Sequence, residues 1–209
     1  MTGPSRADLE LTWETTLVPR EADELFRLYH RAFAPLATLS AVRQLLREDE
    51  FHEEMADPRI EKLVARVDGA AVGLAIITPD LEAIPWISPE FFAARYPEHH
   101  ARRALYYIAF TLADPEHRAA TTYVAMLDVL LQRLTDERAI CIYDICTHNN
   151  VQMRFADHLR ARANRWAFAE EQVLDTQTFY AGLFHSPRDR RTPYAASGSR
   201  GDRSGVTTA

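Results

Sequence analysis

At 209 residues, 47% of them hydrophobic and 10% aromatic, the chain can build one domain with a full core. A formal charge of −6 is not the basic balance that nucleic-acid binding usually shows, and no apolar run approaches the roughly 18 residues of a membrane span. Of the 24 basic residues only Lys62 is a lysine, an imbalance with no functional signal in it. Cys141 and Cys146 are the only cysteines. Placed in one strand-like run they face opposite sides of a sheet, which argues against a mutual disulfide. The stretch Met1 to Asp8 has no apolar signal core. These features predict a reduced, soluble, cytoplasmic protein that binds neither nucleic acid nor membrane.

The elements follow in chain order. Residues 1–8 are expected to be a loose end. Leu9, Leu11 and Trp13 alternate with Glu10, Thr12 and Glu14, which predicts a first strand. Pro19 suits the first turn of a helix that carries Leu25, Leu28, Tyr29 and Phe33 at helical spacing. A second helix is predicted over Ser40 to Glu54, with Val42, Leu45 and Leu46 inward. The clearest local signal is a hairpin: Lys62 to Val67, the turn pair Asp68-Gly69, then Ala70 to Thr78. Gly73 inside its second strand marks a bulge or a close approach of backbone. Ser88-Pro89-Glu90 opens a short helix running to about Tyr96. Ala104 to Leu112 reads as a buried strand and Ala119 to Leu134 as a helix with one apolar face. Ala139 to Cys146 is predicted as a strand and Val151 to Ala163 as a helix. Ala167 to Leu174 and Thr176 to Phe184 are predicted as a closing strand pair. From His185 onward Ser, Gly, Arg, Thr and Pro dominate, so 185–209 is expected to be a disordered tail. A hairpin followed by strand–helix–strand units implies an α/β protein, a mixed sheet with helices on both faces.

Ala113-Asp114-Pro115-Glu116-His117-Arg118 joins a strand to a helix. Such a junction leaves the helix's first N–H groups unpaired and, with the helix dipole, favours an anion. Arg118 stands there as an anion ligand or as a solvated arginine.

This arrangement resembles the GNAT superfamily of acyl-CoA-dependent N-acyltransferases. The Asp68-Gly69 hairpin is similar to that family's second and third strands. Pro115-Glu116-His117-Arg118 is similar to the opening of its pyrophosphate loop, and Asn149 or Asn150 to the Asn that precedes its following helix. The resemblance covers residues 9–184. It implies a twisted mixed sheet of about seven strands, splayed between the fourth and fifth. It implies acetyl-CoA or another acyl-CoA as donor, held by Arg118, Ala119, Ala120, Thr121, Thr122, Tyr123 and Asn150. It also implies an amine acceptor, either a small molecule or carrier-bound, and a thioester carbonyl polarised by a backbone N–H of the fourth strand. With Arg118 as the motif's first residue, the family's glycine positions fall on Thr121 and Tyr123, and its general-acid tyrosine falls on Ala156 or Asp157. Those departures favour a second expectation: a GNAT-like scaffold that binds another ligand, regulates a partner, builds an assembly or runs a different biosynthetic reaction.

Transfer to an amine needs a proton acceptor. Tyr106, Tyr107, Asp144, Cys146 and His148 lie on or just after the two strands that would part. Asp144 interrupts an apolar run, as a buried base or as a solvent-facing edge residue. Cys146 and His148 would share a strand face, which suits a thiolate nucleophile; an inert buried thiol is the alternative. Tyr180, in the closing strand, is a proton donor or a packed ring. His99 and His100 diverge and have no ligand partners at metal spacing, so no metal site is expected. Trp86, Phe91, Phe92 and Tyr96 line an acceptor or acyl pocket, cover a homodimer contact or fill core.

Overall fold

The computed structural model describes residues 9–117 and 119–183. The expected loose start (1–8) and tail (185–209) lie outside the described residues, as does Arg118. The chain divides into two units, Met1–Val173 and Leu174–Ala209. In the second unit the described residues, 174–183, contain no helix or strand.

The first unit is built on a sheet of five strands: β1 (Leu9–Glu14), β2 (Glu61–Val67), β3 (Ala70–Thr78), β4 (Leu105–Ala113) and β5 (Ile140–Ile142). They lie side by side in chain order. The first three pairings are antiparallel, and β4 pairs with β5 in parallel. The turn between β2 and β3 has Asp68 and Gly69 at φ 52° and 79°, the positive values a two-residue hairpin requires. Among the described residues six α-helices accompany the sheet: α1 (Pro19–Phe33), α2 (Glu48–Ala56), α3 (Pro89–Arg95), α4 (Pro97–Ala101), α5 (Ala119–Asp136) and α6 (Phe155–Ala163).

Helices cover both faces of the sheet. On the first face Leu25, Leu28 and Tyr29 of α1 and Phe51 and Met55 of α2 pack on Val64, Leu74, Ile76 and Leu112. On the second, Met126, Leu130 and Leu134 of α5 pack on Leu63, Ala65, Ala75, Ile77 and Tyr106. Arg133 fixes the far end of α5. Its guanidinium binds Glu61 at 2.7 and 3.0 Å and Glu137 at 3.0 Å, and lies 4.9 Å above the Trp13 ring. Among the described residues no helix is long and apolar enough to cross a membrane.

Gly73 serves both purposes its position suggests. Val72 is an extra residue between the pairs Ala65–Gly73 and Arg66–Ala71, so a bulge sits beside it. A Cβ on Gly73 would also stand 2.7 Å from Met126 Sδ, so α5 approaches the strand closely there.

Four expectations need correction. The sheet has five strands, not about seven. Ala167–Leu174 and Thr176–Leu183 do not pair as strands. Glu170, Glu171 and Gln172 interrupt the alternation, and the segment is held by side chains instead: Tyr143 donates to Glu171 at 2.6 Å and Gln172 donates to Tyr96 at 2.6 Å. β5 stops at Ile142 rather than Cys146. The chain then runs through a π turn at His148–Gln152, and Arg154, at φ 50°, separates that turn from α6. Finally, α2 begins at Glu48, not Ser40. Glu48, Asp49 and Glu50 favour a helix N-terminus there, and Glu50 accepts from Arg47 N at 2.8 Å. The preceding stretch stays non-helical because Tyr29 Oη serves its backbone, accepting from Leu46 N at 2.9 Å.

Candidate active site

β4 and β5 are joined at only three positions, the last pairing Tyr107 with Ile142. Beyond them β4 continues to Ala113 without a partner on its β5 side among the described residues. Within that free stretch the register on β3 slips: Ile76 pairs with Phe110 and Ile77 with Ile108, which leaves Ala109 as a bulge. A bulge leaves its extra residue outside the ladder and re-aims the backbone around it. Among the described residues the β4 backbone is therefore outside any ladder on the side of the fork.

The fork carries a hydrogen-bonded trio. Tyr107, 1% exposed, donates its hydroxyl proton to Asp144 and accepts from Trp86 Nε1 at 2.8 Å. Burial, and the negative charge of Asp144, push the Tyr107 hydroxyl far above its usual range. It is therefore a standing donor, never a base. Asp144 lies just past the end of β5 and is exposed, the solvent-facing alternative of the two expected for it. The aromatic cluster is divided. Phe92 and Tyr96 pack against the Leu81, Ile84 and Leu105 core, while Trp86 and Phe91 keep 49% and 44% of their surface in solvent.

At the far end of β4, Asp114 shapes the connection to α5. Only 8% exposed, it accepts from Glu116 N at 3.0 Å and pairs with His117 at 3.2 Å and Arg31 at 3.7 Å. The first turns of α5 follow. Thr122 is buried and donates to His117 O at 3.2 Å, while Ala120 and Thr121 are exposed. Ala113, Ala120, Tyr123 and Val124 line a hollow of about 340 Å³. Tyr123 is half-buried in its wall, and desolvation raises its hydroxyl to about 12. The structure thus places Ala120, Thr121, Thr122 and Tyr123 on the two opening turns of one helix. Asn150 is on a different element, the π turn, where its N–H donates to Cys146 O at 2.9 Å.

Cys146 and His148 do not lie in a strand, so the shared-face geometry for a thiolate pair is gone. Both cysteines are free. Burial raises the Cys141 thiol to about 12, which leaves it inert. Tyr180 is not in a strand either and is 93% exposed.

One group escaped sequence reasoning altogether. Glu54, in the last turn of α2, has a fully buried Oε2 with no partner among the described residues. Desolvation raises its carboxyl to about 7. The nearest cation, Lys62 of β2, is itself fully buried, and its three N–H groups go to the carbonyls of Thr15, Asp57 and Ile60 at 2.8, 2.7 and 2.7 Å. The signal was spacing: Glu54 falls three residues after Phe51 and one before Met55, on the apolar stripe of its helix.

No family model matches the chain, and no curated protein matches it. Among solved structures, the chain is similar to a ribosomal-protein-alanine N-acetyltransferase from Brucella melitensis biovar Abortus 2308. Identity is 15% and the TM-score 0.47, over 84% of this chain and 100% of that one. It is similar to a GCN5-related N-acetyltransferase from Ralstonia eutropha JMP134, with 15% identity and a TM-score of 0.49 over 84% and 100%. A third is an aminoglycoside acetyltransferase from an uncultured soil metagenomic sample in complex with sisomicin, with 14% identity and a TM-score of 0.45 over 84% and 97%. The activities named are those of the proteins compared.

Proposed function

We propose that the chain transfers an acyl group from a CoA-type or carrier-protein thioester to an amine. The observation that carries this reading is the fork itself. β4 leaves β5 after Tyr107, bulges at Ala109 and leads toward α5, so a stretch of strand backbone with no partner on its β5 side among the described residues precedes an 18-residue helix. Strand N–H groups suit a carbonyl that becomes an oxyanion, and the helix N-terminus suits a phosphate. In this reading the donor's phosphates meet Arg118 and the first turns of α5 (Ala119 to Tyr123), with Asn150 beside its chain. The hollow at Ala113, Ala120, Tyr123 and Val124 falls within the range of small-ligand pockets. Tyr107 keeps its proton and orients Asp144 through its hydrogen bond, Asp144 receives protons at the solvent side, and the departing thiolate takes a proton that leaves the attacking nitrogen. Cys146 and Tyr180 are assigned no step.

A second reading has its own observation. Tyr123 forms part of the wall of the hollow, and the Asp114 carboxylate lies just before α5, where it opposes a second anion. Both favour a scaffold that has given up acyl-CoA for another ligand.

Titration with acetyl-CoA and longer acyl-CoAs, followed by calorimetry and thermal unfolding, separates the two. A donor at about 100 times its Kd stabilises the fold by roughly 2.7 kcal/mol. Arg118→Ala should remove that shift. No shift with any acyl-CoA overturns the transferase reading, and an unchanged shift in Arg118→Ala removes that residue from the site.

A further inference from the structure

We propose that Asp144 and Trp86 form the seat of the acceptor and select its class: a primary ammonium on an apolar arm, with no carboxylate beside the nitrogen. The inference rests on the acyl-transfer reading and names the kind of acceptor which that reading leaves open.

Both side chains are anchored on one atom. Tyr107 Oη donates to Asp144 Oδ1 and accepts from Trp86 Nε1 at 2.8 Å. The carboxylate oxygen and the indole nitrogen therefore lie within about 6 Å of each other, two hydrogen-bond lengths. Tyr107 is buried, yet Asp144 is exposed and Trp86 keeps half of its surface in solvent. A buried floor thus carries a carboxylate and an aromatic ring together at the surface. The place is the fork. Tyr107 is the last β4 residue paired with β5, at Ile142, and Asp144 follows Ile142 by two residues. The Ala109 bulge is two residues further along β4, about 7 Å of strand.

Each part is held before any ligand arrives. Trp86 stands in a turn between Ile84, which is buried, and Ile87, which packs against the same core of Leu81, Leu105 and Tyr107. Pro85 and Pro89 restrict the backbone on either side of it. The indole meets the Tyr107 ring at 68°, with centroids 6.2 Å apart. Asp144 Oδ1 is fixed by the Tyr107 proton. Among the described residues no arginine, lysine or histidine pairs with the carboxylate. An exposed ion pair between two flexible side chains is worth little, because both must be ordered and water screens them. Here the protein's half is ordered in advance, so a ligand cation does not bear that cost.

The two groups ask for different parts of one ligand. A carboxylate with lone pairs to spare takes the N–H groups of an ammonium. An indole beside it attracts the same positive charge and covers the apolar carbon attached to it. Neither group suits an anion. A carboxylate on the amine-bearing carbon, as in an α-amino acid, meets Asp144 at like charge. The Tyr107 hydroxyl offers that anion nothing, since its proton is already given to Asp144.

The test is calorimetry on the full chain with pentylamine and three relatives. Pentan-1-ol keeps the arm and loses the charge. Norleucine is pentylamine with a carboxylate on the amine-bearing carbon. Methylamine keeps the charge and loses the arm. Pentylamine should bind at least about tenfold more tightly than each of the others. Asp144→Asn, nearly isosteric and at an exposed position, should weaken pentylamine about tenfold or more and bring it within about threefold of pentan-1-ol and norleucine. Trp86→Ala should cut the advantage of pentylamine over methylamine to under about threefold, and Trp86→Phe, which keeps a ring, should retain most of it. Pentan-1-ol or norleucine bound by wild type as tightly as pentylamine overturns the proposal. So does an Asp144→Asn affinity for pentylamine within about twofold of wild type. A wild type that binds acetyl-CoA but shows no preference among the amines loses the seat and keeps the acyl-transfer reading. A wild type that binds no acyl-CoA overturns that reading, and the seat's role as an acceptor site falls with it even if pentylamine is bound selectively.

Discussion

Glu54→Gln has a consequence for stability that is independent of catalysis. In the unfolded chain the carboxyl titrates near 4.5; in the folded protein desolvation carries it to about 7. Between those values the folded state binds more protons than the unfolded one. Folding stability from this group is thus fully present below about pH 4.5 and is lost as pH rises through about 7. At 1.36 kcal/mol per tenfold change in proton affinity the loss is about 3 kcal/mol, which already includes the attraction of Lys62. Glutamine has nearly the same shape and no charge, so the variant escapes the loss. Urea unfolding followed by tryptophan fluorescence should find the two proteins similar at pH 4.5 and the variant more stable by about 3 kcal/mol at pH 8. Lys62, lowered by burial to about 8 and raised by the Glu54 charge, titrates at the top of this range and adds a smaller difference of its own. A stability difference that is the same within about 0.5 kcal/mol at both pH values would show that the carboxylate is solvated or paired. The reading of Glu54 as a desolvated, unpaired carboxylate would then be wrong.

Two further outcomes follow from the packing. Gly73→Ala places a methyl 2.7 Å from Met126 Sδ and 3.1 Å from the Leu112 carbonyl. The thioether can swing away and the carbonyl cannot, so a cost of about 1–3 kcal/mol is expected by chemical denaturation. The cost should shrink by about 1 kcal/mol when Met126 is already alanine, and strict additivity in that cycle would deny the contact. Tyr107→Phe removes the donor to Asp144 and the acceptor of Trp86 Nε1. It should cost about 1–2 kcal/mol of stability and slow turnover through kcat more than KM. An unchanged kcat would remove the hydroxyl from the reaction.

The elements that sequence alone decided are those whose causes are local. The Asp68-Gly69 turn, the Pro19 and Ser88-Pro89 helix starts and the long apolar stripe of α5 each act within a few residues, and each forms as its residues dictate. The limits of β5, the late start of α2 and the unpaired stretch after Ala167 were not legible, because partners distant in sequence set them. Tyr29 serves the backbone before α2, and Tyr143 and Tyr96 hold Glu171 and Gln172 out of any ladder. The candidate site divides the same way. The helix mouth after Asp114 stands in the sequence as a strand–helix junction. The Tyr107–Asp144 bond joins residues 37 positions apart, and the isolation of Glu54 depends on three carbonyls claiming every proton of Lys62. A residue's type fixes what chemistry it can offer; desolvation and the choice of hydrogen-bond partner, which fix whether it offers it, exist only once the chain has folded.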